Sequence, residues 1–98
     1  MINSRQKGAL GEREFAKKMK SYGFDCRRSQ QFCGKGGESA DVIGLPFIHC
    51  EVKRVEKLNI DEALEQATRD CKAGRIPVVF HRKNNKKWKA TRENLYSF

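Results

Sequence analysis

Apolar positions recur along this chain with two periods, and the switches between them mark out the elements. Over residues 4–22 the repeat is helical. At about 100° per residue, Gly8, Gly11, Glu12, Phe15, Met19 and Tyr22 share one stripe, with Phe15, Met19 and Tyr22 its apolar part. Arg13, Lys17 and Lys20 lie on the opposite face, and Gly23 stands where a helix commonly ends. Residues 24–31 then alternate: Phe24, Cys26, Arg28 and Gln30 on one face, Asp25, Arg27, Ser29 and Gln31 on the other. Gly34-Lys35-Gly36-Gly37 is a basic loop without the spacing of a Walker phosphate loop. A hairpin follows, turning near Gly44-Leu45-Pro46, with its second strand running to about Val55. Asn59-Ile60-Asp61-Glu62 has the form of a capping box. Behind it, Ile60, Ala63, Leu64, Ala67 and Cys71 give a second helix its buried stripe, which Gly74 stops. Residues 76–82 form a short apolar strand, Lys83-Asn84-Asn85-Lys86 a turn, and residues 87–91 a last strand. A helix joining two strands of one sheet makes a right-handed crossover, so the strands on either side of the second helix should run parallel.

The predicted order is α-β-β-β-α-β-β, which gives an α/β (α+β) fold with a mixed central sheet flanked by helices. A chain of 98 residues is expected to form a single domain, 1–98, around one modest core. Charge narrows the partners. Lys and Arg number 21 against 12 Asp and Glu, a net charge of +9. That balance favours a polyanion, nucleic acid before membrane, over a merely soluble basic protein. No apolar segment is long enough to span a bilayer, and the start of the chain carries no targeting pattern, so a cytosolic protein is expected. Cys26, Cys33, Cys50 and Cys71 form no CxxC pair, and His49 and His81 match no ligand spacing. A zinc site is therefore not expected, and the thiols read as small apolar residues.

The candidate chemistry sits in the longest apolar run, Asp41-Val42-Ile43-Gly44-Leu45-Pro46-Phe47-Ile48-His49-Cys50-Glu51-Val52-Lys53. Strand alternation points Glu51 and Lys53 one way and Val52 the other. If Asp41 comes alongside from the preceding strand, two carboxylates and an ammonium meet in an apolar sheet. That combination is costly without a metal or a reacting partner. Glu12, on the inward stripe of the first helix, is available as a third carboxylate. A phosphodiester resists water because its own charge repels the nucleophile. A hard divalent cation, Mg²⁺ or Mn²⁺, held by Asp41, Glu51 and the backbone carbonyl of Val52 would neutralise that charge and acidify bound water. Glu12 would hold metal-bound waters, and Lys53 would orient or deprotonate the attacking water and balance charge at phosphorus.

Asp41…Glu51-Val52-Lys53 resembles the signature of the PD-(D/E)XK nucleases, whose core is restriction-endonuclease-like. More narrowly, Ser4-Arg5-Gln6-Lys7-Gly8-Ala9-Leu10-Gly11-Glu12-Arg13-Glu14-Phe15 resembles the opening helix of archaeal-type Holliday junction resolvases. Gly23-Phe24, Arg27-Arg28-Ser29 and Ser39-Ala40-Asp41 follow in the order of that group. Ala40 stands where the signature's name has Pro. The resemblance implies a metal-dependent endonuclease, usually dimeric, acting on branched DNA, with Glu12, Asp41, Glu51 and Lys53 in the catalytic positions. Flanking these are the DNA-contacting candidates Arg5, Lys7, Arg13, Arg27, Arg28, Lys35, Ser39 and Arg54. Small phage nucleases of the VRR-NUC type share the core, and their second-helix Gln would correspond to Gln66, which a helical wheel sets opposite the buried stripe. Two rivals to a junction resolvase follow: a flap or duplex endonuclease, and a basic DNA-binding module without chemistry. A four-way junction has near two-fold symmetry, so the resolvase reading carries a homodimer with it. Arg82, Lys83, Lys86, Lys87 and Lys89 read as a solvated face, and Trp88 as core or edge packing in preference to a base-stacking residue.

Overall fold

The first predicted helix, α1, runs Ser4–Ser21 in the computed structural model, which describes residues 4–29 and 40–93 and side chains from residue 8 onward. Its apolar stripe is narrower than the sequence suggests. Phe15 and Ala16 are buried and Met19 is half-buried, but Tyr22 is 63 % exposed, with Lys18 Nζ 5.5 Å from its ring centre. Tyr22 lies just past the last helical residue, where the chain leaves the helix through Gly23 in a left-handed conformation (φ 97°). The helical angle no longer governs it there.

Five strands form one sheet in the spatial order β1 (Arg27–Arg28), β2 (Val42–Ile43), β3 (Ile48–Arg54), β4 (Ile76–Arg82) and β5 (Lys89–Thr91). The expected parallel pair is β3–β4, in register from Ile48 opposite Ile76 to Arg54 opposite Arg82; the other pairs are antiparallel. The first strand is shorter than its alternation predicts. Only Arg27 and Arg28 pair, Phe24 is exposed, and residues 30–31 lie outside the described residues. The last strand starts at Lys89 and not at Lys87, and Trp88, just before it, packs on Phe15 with ring centres 5.3 Å apart. Between β2 and β3 the turn depends on Gly44. Its φ is 119°, and a Cβ there would run into the backbone of Asp25 and Cys26.

Helix α2 (Ile60–Asp70) opens at the expected cap, Asn59 Oδ1 accepting from the Glu62 N–H at 3.1 Å. It closes at Asp70, short of Gly74, which serves the turn into β4 (φ 87°). The helices cover opposite faces of the sheet. Under α1, Phe15 and Ala16 pack with Cys26, Val42, Cys50 and Val52, and the Phe15 ring lies 4.5 Å from that of Phe80. Under α2, Ala63, Leu64 and Ala67 pack on Val79. Full burial of a side chain such as Phe15 contributes about 1.5–3 kcal/mol. Cys26 and Cys50 are free and buried, and burial pushes the Cys50 thiol up to about 12, so it stays neutral and packs as an apolar group. Among the described residues no helix is long and apolar enough to cross a membrane.

Candidate active site

Strand β3 sorts its side chains by alternation. Cys50 and Val52 face α1, so His49, Glu51 and Lys53 face α2. Asp41, immediately before β2, reaches the same place. The strand pair registers Val42 opposite Cys50, and one step further on Asp41 stands across from Glu51. The Asp41 N–H donates to the Cys50 carbonyl at 2.9 Å, and Asp41 Oδ2 accepts from the Val52 N–H at 2.8 Å. In an extended strand the N–H and C=O of one residue point to the same edge. The Val52 carbonyl therefore faces the edge on which Asp41 sits. Glu12 arrives from α1, held by Arg28 Nε at 2.9 Å. Gln66 arrives from α2, its Oε1 accepting from Lys53 Nζ at 3.4 Å. Glu12, Asp41, Glu51, Lys53 and Gln66 line one cavity of about 280 Å³, with Gly8 at its rim.

Burial and mutual proximity both raise the glutamate carboxyls of this cavity. Burial raises the Glu51 carboxyl above the ordinary carboxylate range, the His49 hydrogen bond opposes that, and the neighbouring Asp41 carboxyl raises it again. For Glu12, burial raises the carboxyl most, its hydrogen bond from Arg28 lowers it, and Asp41 raises it. Each glutamate thus feels the aspartate. An all-oxygen set suits a hard divalent cation. Asp41, Glu51 and the Val52 carbonyl would be direct donors, with Glu12 acting through water. Among the described residues no three His, Cys, Asp or Glu side chains form a metal cluster by themselves. Two carboxylates completed by a backbone oxygen are consistent with that.

The remaining candidates separate. Arg13 and Arg27 are exposed, as a DNA contact requires. Arg28 is engaged by Glu12. Arg54 is not the open cation its position in sequence suggested. Its side chain is only 19 % exposed, lies 3.5 Å from Glu14 and 4.0 Å from Glu56, and donates to Asn84 Oδ1 at 2.7 Å. The side chains of Arg5 and Lys7, and the whole of Lys35 and Ser39, lie outside the described residues. Gln66 is placed differently from the wheel. It stands about 100° from Ala67 along the helix, on the flank of the buried stripe, and that flank faces Lys53. His49 was weighed in the sequence only as a metal ligand, not as a partner of Glu51. It is fully buried, with Nε2 3.0 Å from Glu51 Oε1. Its signal was the same period-two alternation that paired Glu51 with Lys53.

A second concavity, of about 830 Å³, lies between the C-terminal half of α1 and the β4–β5 hairpin. Its floor is Phe15, Phe80 and Trp88, and its rim includes Lys17, Lys18, Lys86 and Lys87.

No protein-family model matches the chain, and no curated protein sequence matches it. Among solved structures it is similar to Hjc, a Holliday junction resolvase from the archaeal hyperthermophile Archaeoglobus fulgidus. The TM-score is 0.57 at 20 % identity, over 86 % of this chain and 70 % of that one. The likeness is one of fold. It fits the resemblance that the Glu12, Asp41 and Glu51-Val52-Lys53 motifs carry, and the mixed five-stranded sheet with two helices is consistent with a restriction-endonuclease-like core.

Proposed function

We propose that this chain is a divalent-cation-dependent endonuclease that hydrolyses phosphodiesters in branched DNA, with the four-way junction as substrate and a symmetric homodimer as the working form. The observation that carries the reading is the meeting of Glu12, Asp41, Glu51 and Lys53, from three separate elements, around one cavity. The likeness in fold to a junction resolvase and the net charge of +9 support it.

A bound Mg²⁺ or Mn²⁺ supplies charge neutralisation at the phosphate and an acidified water. The chain's own residues do the rest. Asp41 is held in place by the Val52 N–H, so its carboxylate is oriented before any ligand arrives. Lys53, on the same strand face as Glu51, orients the attacking water and balances the charge that builds on phosphorus. Gln66 limits the swing of the Lys53 amine through their hydrogen bond. Arg13 and Arg27 contact the DNA backbone beside the site, and the lysines around the second concavity extend that basic surface.

Cleavage of a labelled four-way junction, a flap and a linear duplex, each with Mg²⁺ and with excess EDTA, tests the proposal. Paired, Mg²⁺-dependent cuts in the junction are expected. Glu51→Ala and Lys53→Ala should each lower the rate on the order of 10²-fold or more while junction binding persists. Full activity of either variant, or in EDTA, refutes it. The Lys53–Gln66 hydrogen bond favours a second reading, because a second-helix Gln belongs to the VRR-NUC-type pattern. Preferential cutting of the flap would select that reading. Metal-independent binding with no cleavage of any form would leave a DNA-binding module.

A further inference from the structure

His49 takes no part in the chemistry proposed for the cavity, yet its side chain is 0 % exposed and abuts the most deeply buried carboxylate there. Nε2 lies 3.0 Å from Glu51 Oε1. A carboxylate oxygen accepts, so Nε2 donates and carries a proton. Nδ1 is buried with no hydrogen-bond partner. A buried ring nitrogen left in that state costs stability. An apolar side chain of similar volume would fill the same space without that cost, so packing alone does not explain a histidine here.

What the ring does is occupy one of the two oxygens of Glu51. Strand β3 fixes the Cα of Glu51 and the face to which its side chain points, but not the twist of the carboxylate, whose terminal torsion is broad and two-fold. Lys53 lies two residues along on the same face and offers a competing donor. We infer that His49 is a positioning residue for the cation site. By donating from Nε2 to Oε1 it sets the carboxylate's rotation and leaves Oε2 as the oxygen available to a cation beside Asp41. This inference rests on the reading of Asp41 and Glu51 as cation ligands. The buried, unpartnered Nδ1 is consistent with a ring retained for what its other nitrogen does. Groups that orient a ligand in this way typically change metal affinity 10–100-fold when removed.

The test is Mn²⁺ binding to the DNA-free protein, followed by calorimetry or by the electron paramagnetic resonance of unbound Mn²⁺, with folding checked by circular dichroism. The set is wild type, Asp41→Asn, His49→Leu and His49→Gln. The Gln amide nitrogen sits near the position of Nε2, so it keeps the donor, whereas Leu removes it. The expected result is a Mn²⁺ affinity about 10-fold or more weaker in His49→Leu and close to wild type in His49→Gln. Should His49→Leu fail to fold, His49→Asn makes the same comparison, since its amide is too short to reach Glu51. Wild-type affinity in the donor-free variant, with Asp41→Asn impaired, overturns the role of His49 alone. Equal losses in the Gln and Leu variants also overturn it, because they assign the ring a structural part. If wild type and Asp41→Asn bind Mn²⁺ alike, the cation site itself falls and the role of His49 falls with it.

Discussion

Glu51 and Glu12 hold their protons more tightly in the fold than in a free chain, chiefly through burial and additionally through the charge of Asp41. The sign of the consequence follows from linkage. A carboxyl raised above its unfolded value, about 4.3, contributes most to stability below that value, and the contribution is lost as pH rises through the folded value. At neutral pH the cation-free protein therefore carries a penalty at these groups. Glu51→Gln keeps an acceptor for His49 and removes the charge. It should raise the melting temperature of the cation-free protein at pH 7, by ~4–8 °C for each kcal/mol relieved in a domain of this size. The gain over wild type should shrink as pH falls toward the ordinary carboxylate range. Thermal melts of both proteins across that range check it, and an equal gain at every pH would refute the assignment. Residue types and strand alternation disclosed Asp41, Glu51 and Lys53, because period two is a rigid rule. They did not disclose the part of His49, because a ligand-spacing search asks whether a histidine binds metal and not whether it hydrogen-bonds to a neighbouring carboxylate.

Helix α1 packs tightly on β3 at Gly11. A Cβ there would lie 2.6 Å from the Cβ of Arg54, so the two elements would have to part. Gly11→Ala trades about 1 kcal/mol of helix propensity in favour of Ala against overpacking of about 1–3 kcal/mol. The net expectation is a lower urea midpoint with an unchanged m-value, together with weaker Mn²⁺ binding because Glu12 is the next residue. A stability equal to wild type would show that the elements can separate freely. At this scale the sequence was legible wherever one period ran long enough. It disclosed α1, the Asn59 cap, β3 and the parallel partner β4. It overextended β1, where an alternating pattern meets a neighbour, β2, that is itself only two residues long. It misjudged Tyr22 because a helical wheel assumes that the helix persists, and Gln66 because a position about 100° from Ala67 is on the flank of the stripe and not opposite it. Tyr22 lies beyond the helix, and the flank that carries Gln66 faces the side chain of Lys53.

Among the described residues, exposed positive charge is spread over α1, β1 and the turn between β4 and β5. Arg13 and Arg27 are exposed on the surface, and Lys17, Lys18, Lys86 and Lys87 border the second concavity. If that border tracks a DNA backbone, Lys17→Ala combined with Lys87→Ala should weaken junction and duplex binding alike. The slope of log K against log salt should become shallower by about 0.9 for each phosphate that the variant no longer neutralises. Mn²⁺ affinity should stay at the wild-type value, because neither lysine lines the acidic cavity. An unchanged salt slope would remove this surface from the DNA path. The same β3 that presents the acids also guards against its own misfolding. Displacing it by one residue would invert every side chain, driving Glu51 against Phe15 and expelling Val52 toward Asp41. Such a structure would forfeit its apolar packing and bury an uncompensated charge in one stroke, so it is not a competing minimum. Once Phe15 has found Cys50 and Val52, the face to which Glu51 and Lys53 point is already set. Packing on one face of β3 thus fixes what the other face presents.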